Sequence, residues 1–244
     1  MGDYHRDYYR DMSKIYDKVG IDKFSISFGN AMLKYFDTMH PDENFKKNLD
    51  FCCGTGTLCG FFKDNGIETK GVDISGEMLN IARNKYPDIE FGEQDIARYL
   101  DDETYDFITC IDDAFNHILD IDDAKKVIKN LNNLLRVNGL FILDINNFNL
   151  LPTYVQDESI DKSINEYSKL KYYLSNEEDL FRFDLEYYEN NELIWETSVF
   201  ERNYLIDELT KIFNDEGFVL ESCSQHLFDE VRYEKWKIIF KKVE

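Results

Sequence analysis

A chain of 244 residues that is 43% hydrophobic can bury one sizeable core, and its 28 Lys and Arg against 49 Asp and Glu give a net charge of -21. A field of that sign repels phosphate backbones and anionic membranes, so nucleic acid and membrane are not expected partners, whereas a neutral or cationic small molecule suits it. Five cysteines without a C-x-x-C pair, no leader-like start and no membrane-length apolar run predict a cytoplasmic protein that binds no metal.

In chain order, Tyr9, Met12, Tyr16 and Val19 fall on one stripe, which predicts an amphipathic helix docking on the body within a helical segment 4–38. The hydroxyls of Tyr8, Tyr9 and Tyr16 are candidates to reach a polar site. From Lys47 onward strand and helix alternate: NLDFCC, a helix to about Asn65, IETKGVDI, the helix GEMLNIARNKY, then IEFGEQD, YDFITCID and GLFILDIN as further strands. Between the last two, DDAKKVIKNLNNLLR carries Ala124, Val127, Ile128, Leu131, Leu134 and Leu135 at helical spacing. Asp120 is its expected cap and Asn138-Gly139 its expected end. Strands joined by helices of this length imply an α/β, doubly wound parallel sheet whose ligand end lies at the strand carboxyl termini.

After Asn147 the texture changes to aromatic, partly alternating runs, YSKLKYYL, LFRFDLEYY and LIWETSVFERNY, which read as an antiparallel meander of about three strands. It either covers the ligand end or extends the core. The helix DELTKIFNDEGF and the strands FVLESCSQ and KWKIIFKK follow. No linker separates independent domains, so the expected organisation is a core of 1–147 and 205–244 with an antiparallel insertion, or lid, over 148–204.

The stretch LDFCCGTGTLCG, Leu49 to Gly60, holds the chemistry. A dinucleotide fingerprint places a third glycine where Cys59 stands, and a phosphate cradle needs a Lys-Ser or Lys-Thr that is absent. What remains is a tight turn through Gly54 and Gly56, an acid before it, Asp50, and an acid ending the next strand, Asp73, suited to take two ribose hydroxyls.

Taken together and in order, LDFCCGTGT, GVDISGEML, EQDI, YDFITCIDDAFNHI and LRVNGLFILDIN resemble the successive motifs of class I S-adenosylmethionine-dependent methyltransferases. The likeness spans roughly residues 46–147. The aromatic amino-terminal segment, the late insertion and the DEGF ending resemble a subgroup acting on small molecules, including amino-sugar N-methyltransferases and glycine N-methyltransferase-like enzymes. The resemblance implies a seven-stranded Rossmann-like sheet, S-adenosylmethionine as cofactor and a small-molecule acceptor. It also implies that Gly54 and Gly56 admit the methionyl part and Asp73 takes the ribose. Ile74 and Met78 would pack on the adenine, Asp95 and Ile96 would meet its edge, and the backbone near Cys110 and Ile111 would hold the amino group. Tyr16, Asp50, Cys52 and Asn116 complete the expected cofactor shell. Cys52 and Asn138 stand where the family usually has a small residue and a glycine.

A sulfonium is already an activated leaving group, so positioning can supply most of the catalysis. An amine acceptor needs only to arrive deprotonated; a hydroxyl acceptor needs a base, for which His117 is the candidate. Asp112, Asp113 and Asn116 share its loop, and the acid-rich loop favours nitrogen over oxygen. Asn146 and Asn147 stand where acceptors bind in this fold. Tyr154, Tyr173, Arg182, Trp195 and His226 are candidate lining residues, better read as packing or surface. Alternatives are an O-methyltransferase, a catalytically silent cofactor-binding protein and, on the glycine turn alone, an NAD-dependent oxidoreductase. The sequence carries no signature of oligomeric state.

Overall fold

The computed structural model describes residues 3–18, 20, 22–148, 160–165, 168–177, 180–228 and 233–243. Two helices, α1 (Asp3–Met12) and α2 (Lys23–Met39), lead into alternating strands and helices: β1 (Lys47–Phe51), α3 (Thr57–Asp64), β2 (Glu68–Asp73), α4 (Gly76–Lys85), β3 (Glu90–Glu93), β4 (Tyr105–Cys110), α5 (Ile121–Leu134) and β5 (Leu135–Asn146). Then come β6 (Ile160–Asn165), β7 (Ser168–Glu177), β8 (Leu180–Glu189), β9 (Glu192–Arg202), α6 (Ile206–Asp215), β10 (Phe218–Phe228) and β11 (Tyr233–Lys242).

Seven strands form one sheet in the order β10-β11-β5-β4-β1-β2-β3. The pairs from β5 to β3 are parallel, and β11 joins β5 antiparallel. After β3 the chain crosses back to β4, so strand order reverses between β1 and β4, and their carboxyl ends open the crevice where such folds bind ligands. This is the expected Rossmann-like sheet.

Both faces are covered, which is why the strands read as near-continuous apolar runs. Along β5, Phe141, Leu143 and Ile145 join the core shared with α5 and α6, while Leu140 and Ile142 join Phe28, Met32 and Phe62 beneath α2 and α3. Asp144 therefore projects toward α2 by the period-two rule. Helix α5 forms because Ala124, Val127, Ile128, Leu131 and Leu134 are all buried on one stripe, the larger ones contributing roughly 1.5–3 kcal/mol each. Asp120 caps it by accepting from the Asp122 N–H at 2.8 Å, as expected.

Three local expectations are corrected. The tyrosine stripe is not one helix: α1 ends at Met12 and residues 13–18 are turns. Tyr16 and Asp17 are drawn there into tertiary hydrogen bonds with Asp112 and Thr55, and Val19 lies outside the described residues. Asn138 is left-handed (φ 64), yet α5 stops at Leu134, and Asn138 sits in β5 where its register on β4 jumps from Tyr105↔Leu135 to Phe107↔Leu140. The meander has four strands, β6-β7-β8-β9, in a sheet of its own. No helix of the described residues is long and apolar enough to cross a membrane.

Candidate active site

At the end of β1 the backbone is left-handed at Cys52 (φ 56), Gly54 (φ 53) and Gly56 (φ 76). The two glycines serve different needs. A Cβ on Gly54 would meet nothing within 4 Å, so this peptide faces open crevice, whereas one on Gly56 would strike the Phe91 ring at 2.8 Å and Ala82 at 3.0 Å. Cys52, a residue with a Cβ, holds a conformation that costs an L side chain about 1–2 kcal/mol.

Asp73 ties this turn to the next helix. Its Oδ2 accepts from the Gly54 N–H at 2.9 Å and its Oδ1 from the Ser75 N–H at 2.8 Å. Burial raises its pKa, and the backbone donors oppose that by favouring the anion. Asp50 lies beneath the turn: it is 2% exposed, accepts from the Thr109 hydroxyl at 2.6 Å and meets the Cys59 thiol at 3.5 Å. Burial pushes its pKa up to about 7. Asp95 caps a short 3-10 turn at Ile96–Arg98 by accepting from the Ala97 N–H at 2.9 Å, and Ile96 is buried. Ile74 is half-buried. Met78 is buried against a cluster with Met12, Ile15, Phe148 and Phe181, and Ile111 packs in the cluster under α2.

A second centre stands at the ends of β4 and β5. Asp112 (φ 61) and Asp113 (φ 51) are both left-handed, held so because the Asp144 carboxylate accepts their N–H groups at 2.6 and 3.2 Å. Buried Lys235, from β11, reaches Asp113 at 2.6 Å and Asp112 and Asp144 at 3.2 Å each. Tyr16 donates to Asp112 at 2.7 Å. The Asn146 amide donates to Asp113 at 2.9 Å and to Glu201, from β9, at 2.8 Å. Asn116 links β5 to β9: its oxygen accepts from the Asn146 N–H at 3.0 Å and its amide donates to the Arg202 carbonyl at 2.9 Å.

His117 closes the group. Its Nδ1 lies 3.3 Å from the Phe200 carbonyl, which can only accept, so Nδ1 carries the hydrogen and the lone pair is on Nε2. Burial lowers the His117 pKa against the pull of Asp113, so the ring is neutral. Burial also raises Asp113, but the Lys235 ammonium, with the Asn146 amide that donates to it, outweighs that and holds the carboxyl below its usual range. Glu201 moves the other way, pushed well up by burial and then by the charge on Asp113. Asp113, His117 and Glu201 each bring one donor atom within 4.8 Å of the others, a set that could hold a metal ion or another cation.

Residues 49–139 match a family model described as methyltransferase domain. That segment is similar to methyltransferase domains. A Geobacillus protein with a provisional methyltransferase name is 25% identical over 208 residues, 80% of this chain and 83% of its own length. A dTDP-4-amino-2,3,4,6-tetradeoxy-D-glucose N,N-dimethyltransferase of Saccharopolyspora spinosa is 26% identical over 46% of this chain and 43% of its own length. Among solved structures, an amino pentose methyltransferase of Micromonospora echinaspora superposes with TM-score 0.77 at 14% identity, over 94% of this chain and 97% of that one. That likeness is one of fold.

The matched segment contains the whole glycine turn, Asp73, Asp95 and the Asp112 to His117 loop, but Asp144, Asn146, Glu201 and Lys235 lie beyond it. Of the residues expected from sequence, Cys52, Gly54, Gly56 and Asp73 gather at the crevice; Asp50 underlies it; Tyr16, Asn116 and His117 belong to the second centre. Asp144, Glu201 and Lys235 were missed. Asp144 had a signal, since a charge inside the doubly covered run FILDIN must be paired. Arg182 is occupied with Asp184 (2.8 Å) and Ser198 (3.2 Å), and Trp195 stacks on Tyr187. Tyr154 and the side chains of Tyr173 and His226 lie outside the described residues.

Proposed function

We propose that this chain is a cytoplasmic S-adenosylmethionine-dependent methyltransferase that moves a methyl group in line to the nitrogen of a small-molecule acceptor, with the insertion 148–204 as its lid. The cofactor reading is carried by the crevice at the end of β1. The open space over Gly54 suits a close-lying ligand, and Asp73, an anion aimed at the same peptide, suits ribose hydroxyls and not a phosphate. The cofactor supplies a methyl group already activated on a sulfonium sulfur. The Cys52 to Gly56 backbone would seat its methionyl part, Ile74 and Met78 would flank the base with Asp95 and Ile96 at its edge, and the peptide at Ile111 would take the amino group.

Nitrogen is favoured because the acceptor end of the crevice is lined by buried carboxyls, which attract an amine and discourage an anionic acceptor. The amino-sugar and amino pentose methyltransferases among the relatives support the same reading. A hydroxyl acceptor would call on the Nε2 lone pair of neutral His117. Nucleic acid as a partner is disfavoured by the net charge of -21. The test is incubation of the purified chain with methyl-labelled S-adenosylmethionine and a metabolite extract. Label is expected in small basic compounds; label in neutral ethers points to oxygen, and no transfer to any acceptor points to a silent protein.

A further inference from the structure

The row of side chains that β11 turns toward α2 changes character along the strand. Ile239 pairs in register with Ile142, and both are buried in the cluster beneath α2 and α3. By the period-two rule the next pair on that face is Lys237 with Asp144, and after it Lys235 with Asn146. Where the apolar pairs stop, α2 does not close on the sheet. A cavity opens there, walled by Phe24, Phe28 and Ser27 of α2 and floored by Asp144, Lys235 and Lys237. Its charges are unequally satisfied. The Asp144 carboxylate is occupied by the N–H groups of Asp112 and Asp113 and by Lys235 at 3.2 Å, and Lys235 itself has three carboxylates. Lys237 is half-buried, and among the described residues no acid pairs with it. Burial alone lowers its pKa. An ammonium partly stripped of water without a counter-charge is costly. Ser27 is exposed, and among the described residues its hydroxyl makes no hydrogen bond.

We propose that this cavity, behind the second centre, is a carboxylate site in which Lys237 and Ser27 hold the two oxygens of a short aliphatic monocarboxylate against the rings of Phe24 and Phe28. The site stands whether or not methyl transfer is the activity. Charge selects a monoanion: one unpaired ammonium neutralises one negative charge, and a phosphate dianion would turn its surplus on Asp144. The donors select a carboxylate, because an ammonium and a hydroxyl are two donors for two oxygens. The two rings select an aliphatic stem, whose burial against them is favourable. Two sources share this chemistry, a free short-chain acid and the carboxyl end of an amino-acid acceptor.

The test is competitive labelling of the full, folded chain with succinimidyl acetate, read lysine by lysine by peptide mass spectrometry. Propionate at high millimolar concentration should slow acetylation of Lys237 at least fivefold and leave exposed Lys34 and Lys129 unchanged, whereas propanol and matched sodium chloride should protect none of them. Propionate should also raise the Tm of the wild type and of Lys237→Arg but not of Lys237→Met, and Ser27→Ala should weaken the protection at least threefold. Labelling of the wild type keeps the test decisive if a variant misfolds. No protection of Lys237, equal protection by propanol or chloride, or stabilisation that survives Lys237→Met overturns the proposal. The sources separate with 3-aminopropanoate in the presence of S-adenosylhomocysteine. Protection at a tenfold lower concentration than propionate assigns the carboxylate to the acceptor, protection no better than propionate assigns it to a free acid, and either result sustains the site.

Discussion

Gly54 and Gly56 share a left-handed backbone but should respond oppositely to the same substitution. Gly56→Ala meets both backbone strain and the Phe91 ring at 2.8 Å, so it should destabilise the fold by about 2–5 kcal/mol, measured by urea unfolding. Gly54→Ala meets no protein atom within 4 Å and should cost only about 1–2 kcal/mol of stability. Its methyl group would fill the space assigned to the ligand, so affinity for S-adenosylmethionine should fall at least tenfold. If Gly54→Ala binds normally, the ligand does not approach that peptide. At this scale the turn was readable, because positive φ and close approach leave their mark as glycine. Glu201 and Lys235 were not, since each is one charge in a strand rich in charges, and only the tertiary fold brings either one to His117.

Among the elements, the segment between α1 and α2 is the least expected. A continuous stripe predicted helix through Tyr16, but the turn of residues 13–18 lays Asp17 across the glycine turn. There it accepts from the Thr55 hydroxyl at 2.7 Å and pairs with Lys85 at 2.8 Å. Tertiary hydrogen bonds worth roughly 1 kcal/mol each are enough to override the weak preference of one helical turn. Asp17→Ala should therefore release the segment without unfolding the body: Tm should move by no more than about 4 °C, while limited proteolysis within residues 3–18 and dissociation of the demethylated cofactor both become several-fold faster. Unchanged proteolysis would mean that the segment is held by its apolar contacts alone. The strands and helices between Lys47 and Asn146 were legible because two covered faces impose apolar runs of strand length and a single covered face imposes the α5 stripe. The four-stranded sheet was legible as a meander but not in its strand count, which depends on pairing that alternation does not specify.

For the whole molecule, buried carboxyls set the response to pH. Burial raises Asp50 to about 7 and Asp144 to about 6, both above the 3.8 of an ordinary aspartate. The folded state holds these protons longer than the unfolded chain does, so each group lowers stability as pH rises from about 4 through its folded pKa, by up to roughly 1.4 kcal/mol per pH unit. Asp113 is shifted down, as is Asp101, whose carboxylate accepts from the Tyr99 and Tyr105 hydroxyls and pairs with Lys70 at 2.9 Å, so they contribute stability that is lost as pH falls below the ordinary aspartate range. Stability should peak on the mildly acidic side of neutrality, and the urea midpoint should drop from pH 5 to pH 8. Asp50→Asn should shrink that drop; an equal drop in the variant would show that Asp50 does not titrate there. The most direct test of the central claim is calorimetric titration of the intact, folded chain with S-adenosylhomocysteine, in parallel with its Asp73→Ala variant. One equivalent should bind to the wild type, with affinity at least tenfold lower in the variant. No binding to the folded wild type, or equal affinity in both, would contradict the account.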